Sequence, residues 1–148
     1  MNAPAGGGRG CGSRAISDES KTVRNLRILV VDDEPNVLEM LVEYVRGKGF
    51  EVLGVADGEE ALRRLPEFRP HLVLLDLFLP GLSGLETLQR IRALRRETRV
   101  VVVSGTEDVE IARRAVALGA VEYVTKPVDF TYLDSVLEIH TLMDQMDP

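Results

Sequence analysis

The sequence predicts an α/β protein in which a doubly wound, five-stranded parallel sheet carries five helices. Three observations lead there. Short apolar runs rich in Val, Leu and Ile alternate with longer segments of helical period, the repeated pattern of strand and crossover helix. The connections are short and carry the residues that turn a chain, chiefly Asp, Gly, Ser and Pro. Four of the apolar runs are followed by polar side chains, at the strand tips where open sheets of this kind bind ligands.

Residues 1–24 stand apart. Gly6-Gly7-Gly8 and Gly10-Cys11-Gly12, followed by mixed polar residues, offer too little apolar surface to offset the entropy of ordering them. A flexible tail is expected there, with one folded domain over 25–148. Strand one is predicted at 28–31, and Pro35 suits the first turn of a helix that runs to about Arg46, where Gly47 and Gly49 stop it. Strand two follows at 50–55. The second helix, 57–65, has Asp57 as its N-cap and is expected to end at Pro66. Strand three is His71 to Asp76. The third helix, 84–94, is capped by Ser83 and turns Leu85, Leu88 and Ile91 to the sheet, with Leu94 or the stem of Arg92 beside them. Strand four (99–104), a helix from about Asp108 to Leu118 stopped by Gly119, strand five (121–124) and a last helix (130–146) complete the alternation. Right-handed crossovers leave few topologies, and the order 2-1-3-4-5, the flavodoxin-like arrangement, sets strand one beside strand three at the switch point.

Composition narrows the function classes. A length of 148 residues supports one ordinary core and leaves no room for a second folded domain. The net charge of −6 argues against nucleic-acid binding through overall charge, although a local basic patch is compatible with it. Cys11 is the single cysteine, which excludes an internal disulfide and suits a reducing compartment, with the cytoplasm as the expectation. No segment has the apolar length of a membrane span.

The strand tips carry the chemistry. Asp32 and Asp33 follow strand one, Asp76 ends strand three, and Ser104 and Lys126 follow strands four and five. In the predicted order the three carboxylates become neighbours, and at ~5 Å each pair repels by about 3 kcal/mol at an effective dielectric near 20. Such a site needs a proton or a cation. Oxygen donors without His or Cys select a hard cation, Mg²⁺ or Mn²⁺. With the metal bound, Asp76 is placed to accept a phosphoryl group, with Lys126 and Ser104 helping to neutralise its oxygens. Taken singly, each residue has a plainer reading: Asp32 as a helix N-cap, Asp76 and Ser104 as turn residues, Lys126 as a solvated lysine and Tyr123 as a half-buried strand aromatic. The joint placement is what argues for a site. His71 and His140 have no partners at metal or triad spacing, and Gly105 reads as a turn residue that also leaves the site open.

The ordered set Val30-Val31-Asp32-Asp33-Glu34-Pro35, Leu74-Leu75-Asp76 with Pro80-Gly81, Val103-Ser104-Gly105 and Tyr123-Val124-Thr125-Lys126-Pro127 resembles the receiver domain of bacterial two-component response regulators. The resemblance runs from about Arg27 to Met146 and rests on five pieces in order. It implies that Asp76 is the phosphoacceptor, that Asp33 binds Mg²⁺ directly and Asp32 largely through water, and that the Phe78 carbonyl completes the protein ligands. It implies a phosphate-binding role for Lys126, a switch pair in Ser104 and Tyr123, and a cis Lys126-Pro127 bond. It further implies a phosphorylation-activated signalling switch, supplied by a sensor histidine kinase or phosphotransfer protein, whose output face is formed by helix four, strand five and helix five. Such a chain catalyses its own phosphorylation and, with Phe78 and Thr106 offering no group to orient water, slow dephosphorylation; it has no separate enzymatic output. The chain ends soon after helix five, so it is expected to act through a partner or as part of a longer regulator.

Two other Asp- or sheet-based functions fit less well. A haloacid-dehalogenase-type phosphatase would have an acid where Phe78 stands, and a flavodoxin-type binder would have a phosphate cradle in place of Asp32-Asp33-Glu34. A receiver that binds partners without phosphorylation is the third alternative. On helix five, Leu133, Val136, Leu137 and His140 suit the sheet, Thr131, Asp134, Glu138, Thr141 and Gln145 suit solvent, and Tyr132, Ile139, Leu142 and Met146 form an extra apolar stripe. That stripe is expected to hold a homodimer or a partner helix, with packing against helix four or the tail as the plainer outcome.

Overall fold

The computed structural model describes residues 26–105 and 107–146, with side chains as far as Leu142. The expectations for the tail, for Thr106 and for the side chains of Gln145 and Met146 lie outside the described residues.

Strands β1 (Arg27–Val31), β2 (Glu51–Val55), β3 (Leu72–Leu75), β4 (Arg99–Ser104) and β5 (Ala120–Thr125) alternate with helices α1 (Pro35–Gly47), α2 (Gly58–Phe68), α3 (Gly84–Leu94), α4 (Val109–Ala117) and α5 (Phe130–Met146). Neighbouring strands are parallel and lie in the order β2-β1-β3-β4-β5. Side chains alternate between the two faces. Ile28, Val30, Leu72, Leu74, Val101 and Val103 pack with Leu41 and Val45 of α1 and Leu133, Val136 and Leu137 of α5. Leu29, Val31, Val73, Leu75, Val100 and Val102 pack with Ala61 and Leu65 of α2, Leu88 and Ile91 of α3 and Ala115 of α4. Both faces of β1 and β3 are therefore dry, which is why these strands are apolar at nearly every position. No helix among the described residues is long and apolar enough to cross a membrane.

Several local expectations are met at atomic level. Asp57 accepts the Glu60 amide at 2.8 Å and Ser83 the Glu86 amide at 3.2 Å, so both cap their helices. Gly49 and Gly119 adopt φ of 101° and 113°, the left-handed conformation that a side chain resists. The Lys126-Pro127 bond is cis.

Other expectations are corrected. Pro66 does not end α2, which continues to Phe68 and stops where Arg69 turns left-handed at φ 52°. Proline lacks its own amide bond and crowds the preceding turn, but it leaves the later amides free to bond, as the Arg69 amide does to the Leu65 carbonyl at 3.0 Å, and Arg69 with the following Pro70 provides the real stop. Leu94 is 64% exposed, and the Arg92 stem, packed at Gly119, takes the sheet-facing role. Thr141 is buried, not solvent-facing: its hydroxyl donates to the Leu137 carbonyl at 2.6 Å, which satisfies the polar atom inside the helix packing. Asp134 is half-buried and tied to Lys48 at 3.1 Å and to the Tyr44 hydroxyl. Tyr132, Ile139 and Leu142 remain exposed, at 42%, 55% and 52%, so the extra apolar stripe of α5 has no cover among the described residues.

Candidate functional site

The site forms because β1 and β3 are neighbours with Val31 opposite Leu75. This register puts the next residues, Asp32 and Asp76, side by side, and the Asp76 amide donates to the Val31 carbonyl at 3.0 Å. Asp32 and Asp76 are buried, at 1% and 4% exposure, whereas Asp33 is exposed. One oxygen from each of Asp32, Asp33 and Asp76 lies within 4.8 Å of the others. Phe78 stands at the mouth, its amide donating to Asp76 Oδ1 at 3.1 Å. Lys126 arrives from the tip of β5, where its amide donates to the Ser104 carbonyl at 2.9 Å. Together Asp33, Glu34, Asp76, Phe78, Gly105 and Lys126 line an opening of about 410 Å³. A Cβ on Gly105 would meet nothing nearer than the Lys126 Cβ at 4.0 Å.

Lys126 is the electrostatic centre. Its Nζ lies 2.9 Å from Asp32 Oδ2, 2.9 Å from Glu34 Oε1 and 3.2 Å from Asp76 Oδ2. Burial by itself would lower its pKa, but the contacts with Asp32 and Glu34 and the charges of Asp32 and Asp76 outweigh burial and hold the ammonium well above its ordinary value. Lys126 therefore stays charged. The Asp76 carboxyl is pushed up, first by burial, with the Phe78 amide and Lys126 opposing the rise and Asp32 adding to it. Asp32 Oδ1 accepts the Glu34 amide at 2.9 Å, which closes a turn ahead of α1; the N-cap position is Glu34, with no side-chain cap, so Asp32 does not cap the helix as its plainer reading had it. Its buried Oδ2 has no aligned hydrogen-bond donor, and the Lys126 contact there is an ion pair without hydrogen-bond geometry.

This oxygen bears on metal binding. The Lys126 ammonium that pairs with it is shared with Glu34 and Asp76, so a single positive charge faces several carboxylates, and a second cation is the group that would relieve the excess negative charge. The all-oxygen set of Asp32, Asp33 and Asp76 fits a hard divalent ion.

Ser104 and Tyr123, predicted as a pair, share a hydrogen bond between their side chains. Burial raises the Tyr123 hydroxyl, the bond from Ser104 opposes that rise, and the charge of Asp76 adds to it. Sequence reasoning missed Glu34. As an acid beside a helix start it looks like any other, and only the fold brings it to a lysine 92 positions away.

Residues 28–138 match the response regulator receiver domain family. The DNA-binding response regulator MtrA of Mycolicibacterium smegmatis is 43% identical over 101 residues, which are 68% of this chain and 44% of that protein. The chain thus spans less than half the length of this relative. Among solved structures, a response regulator receiver domain protein from Clostridium thermocellum superposes with a TM-score of 0.77 at 29% identity, covering 82% of this chain and 98% of that one. The BeF3-activated DrrB receiver domain does so with a TM-score of 0.72 at 32% identity, covering 78% and 96%. With five parallel strands in the order 2-1-3-4-5 and this family match, the chain belongs to the receiver domains of response regulators, the phosphorylation-activated modules of two-component signalling.

Proposed function

We propose that Asp76 accepts a phosphoryl group from a phosphohistidine of a sensor kinase or phosphotransfer protein. The observation that carries this reading is the convergence of Asp32, Asp33 and Asp76 within 4.8 Å, with Lys126 reaching them from another strand. Asp32, Asp33, Asp76 and the Phe78 carbonyl would hold Mg²⁺, or Mn²⁺ in its place. The bound ion supplies charge neutralisation at the phosphoryl oxygens and alignment of the donor. A carboxylate oxygen of Asp76 forms the new O–P bond as the N–P bond to the donor imidazole breaks, and the imidazole takes up a proton. Lys126 is released from part of its carboxylate cluster to pair with the new phosphoryl charge. Ser104 turns its hydroxyl toward the same charge and gives up Tyr123, which biases the face made by α4, β5 and α5. Exposed Tyr132, Ile139 and Leu142 on that side supply an apolar contact for a homodimer or a partner helix. The chain itself catalyses this transfer and a slow reversal, works in the cytoplasm, and leaves DNA contacts of the kind named for its relative to other segments or partners.

The direct test is intact mass after treatment with a small phosphodonor and Mg²⁺. One phosphate adduct is expected, absent from Asp76→Ala; an adduct that survives this substitution places the acceptor elsewhere. Metal linkage is tested separately. With free Mg²⁺ at ten times its dissociation constant, binding to the folded state alone adds about 1.4 kcal/mol, roughly 3–6 °C in Tm. Asp33→Ala is expected to lose this shift, and a full shift in that variant would show that the three acids do not share one cation.

A further inference from the structure

A concavity of about 550 Å³ lies at the end of the sheet opposite Asp76, where β1, β3 and β4 begin. It is lined by Arg27, Arg69, Arg92, Arg95, Arg96 and Arg99, with Glu97 as the one acid. This is a dense positive cluster in a chain of net charge −6. We infer that this cavity binds a small free oligophosphate, a compact anion with two or more linked phosphate groups.

Three of the arginines, Arg27, Arg92 and Arg95, are held in place before any ligand arrives. Arg27 Nε donates to the carbonyls of Phe68 and Arg69, at 2.8 and 3.0 Å. Arg92 Nη1 donates to the carbonyls of Arg96 and Thr98, at 2.6 and 2.8 Å. Arg95 Nε donates to Thr98 Oγ1 at 3.3 Å, and the buried Thr98 hydroxyl is itself anchored on the Pro70 carbonyl at 2.8 Å. A Cβ on Gly119 would come within 2.7 Å of Arg92 Nε, so this glycine leaves the arginine its path. Carbonyl and hydroxyl oxygens fix guanidinium planes without neutralising them. The plain explanation, arginines capping helix C-termini, accounts for part of the cluster: the ends of α2 and α3 present about half a negative charge each. That is far less than the charge assembled here. Glu97 pairs with Arg95 at 2.9 Å but is itself 68% exposed, which weakens the neutralisation it gives.

The ligand class follows from shape and chemistry. Guanidinium forks bind phosphate oxygens in pairs. The volume falls within the range of roughly 300–1,000 Å³ typical of small-molecule sites. No Phe, Tyr or Trp lines the cavity to stack a base, so the phosphates are the feature recognised. A long polyanion would meet the acidic remainder of the surface, which disfavours nucleic acid.

The test is a ¹H–¹⁵N NMR titration of the metal-free chain with inorganic pyrophosphate at constant ionic strength. Saturable shifts are expected at the amides of Arg27, Arg69, His71 and residues 92–99, with those of Asp76 and Lys126 still. Arg69→Gln with Arg96→Gln should weaken binding at least tenfold; both side chains are exposed, and Arg96→Gln alone, with circular dichroism as control, covers the event that the pair perturbs the fold. Tripolyphosphate and ATP in parallel identify the source: similar affinities point to the phosphate chain, a much tighter ATP to a nucleotide. No saturable response to any oligophosphate, unchanged affinity in folded variants, or a response to a DNA duplex alone would overturn the assignment.

Discussion

Lys126→Ala is expected to cost the metal-free protein about 3 kcal/mol at neutral pH, roughly 10 °C in Tm, because it leaves buried carboxylates without their counter-charge. Asp32 and Asp76 keep only 1% and 5% side-chain exposure, so water does little to replace the ammonium. The pH dependence distinguishes charge from packing. Asp76 already titrates above the ordinary carboxylate value because of burial, and loss of Lys126 removes one of the groups opposing that rise. A carboxyl whose folded pKa exceeds its unfolded value lowers stability above the folded pKa, and this penalty disappears as pH falls below the unfolded value of about 3.9. The deficit of Lys126→Ala should therefore be largest near pH 7, shrink toward pH 4, and be reduced at pH 7 by Mg²⁺. Phosphorylation of Asp76 should slow about 100-fold, the scale of removing one charge-stabilising donor. Thermal melts from pH 4 to 8 decide the matter: an equal loss at both ends would assign the effect to packing of the lysine stem.

Gly84→Ala is expected to be the most damaging single-methyl change in the chain. A Cβ there would lie 2.3 Å from Leu77 Cα, 2.5 Å from the Asp76 carbonyl oxygen and 2.6 Å from the Leu77 carbonyl oxygen. All three neighbours are backbone, and the Gly84 amide is bonded to the Leu77 carbonyl at 3.0 Å, so no rotamer change relieves the clash. Relief requires moving the turn that carries Asp76, at a cost above about 3 kcal/mol. Protein that remains folded should also accept phosphate poorly, since the acceptor's own backbone has shifted. Gly47→Ala is the matched control: nothing lies within 4 Å of its Cβ, and the position is helical, so a gain of about 0.5 kcal/mol is expected. Equal Tm values for Gly84→Ala and the parent would show that α3 and the β3 turn are less tightly joined than these distances indicate.

The elements were legible because their signals are local. Strand and helix periods, the caps Asp57 and Ser83, and the left-handed stop at Gly119 depend on residues within a few positions of one another, and each appears where the pattern places it. The acids of the site were legible for a related reason: short crossovers allow few strand orders, so Asp32, Asp33 and Asp76 at strand tips have one place to meet. Where the outcome rested on depth or on distant partners, the local pattern was not enough. Pro66 sits inside α2 because the stop lies at Arg69, and Thr141 is buried because its hydroxyl finds the Leu137 carbonyl. Tertiary structure alone joined Glu34 to Lys126 across 92 positions and gathered arginines from two helix ends and two strand starts into one cavity. Sequence period states which way a side chain leaves its own backbone; which charges then face one another is decided only when the sheet closes the distance between segments far apart in the chain.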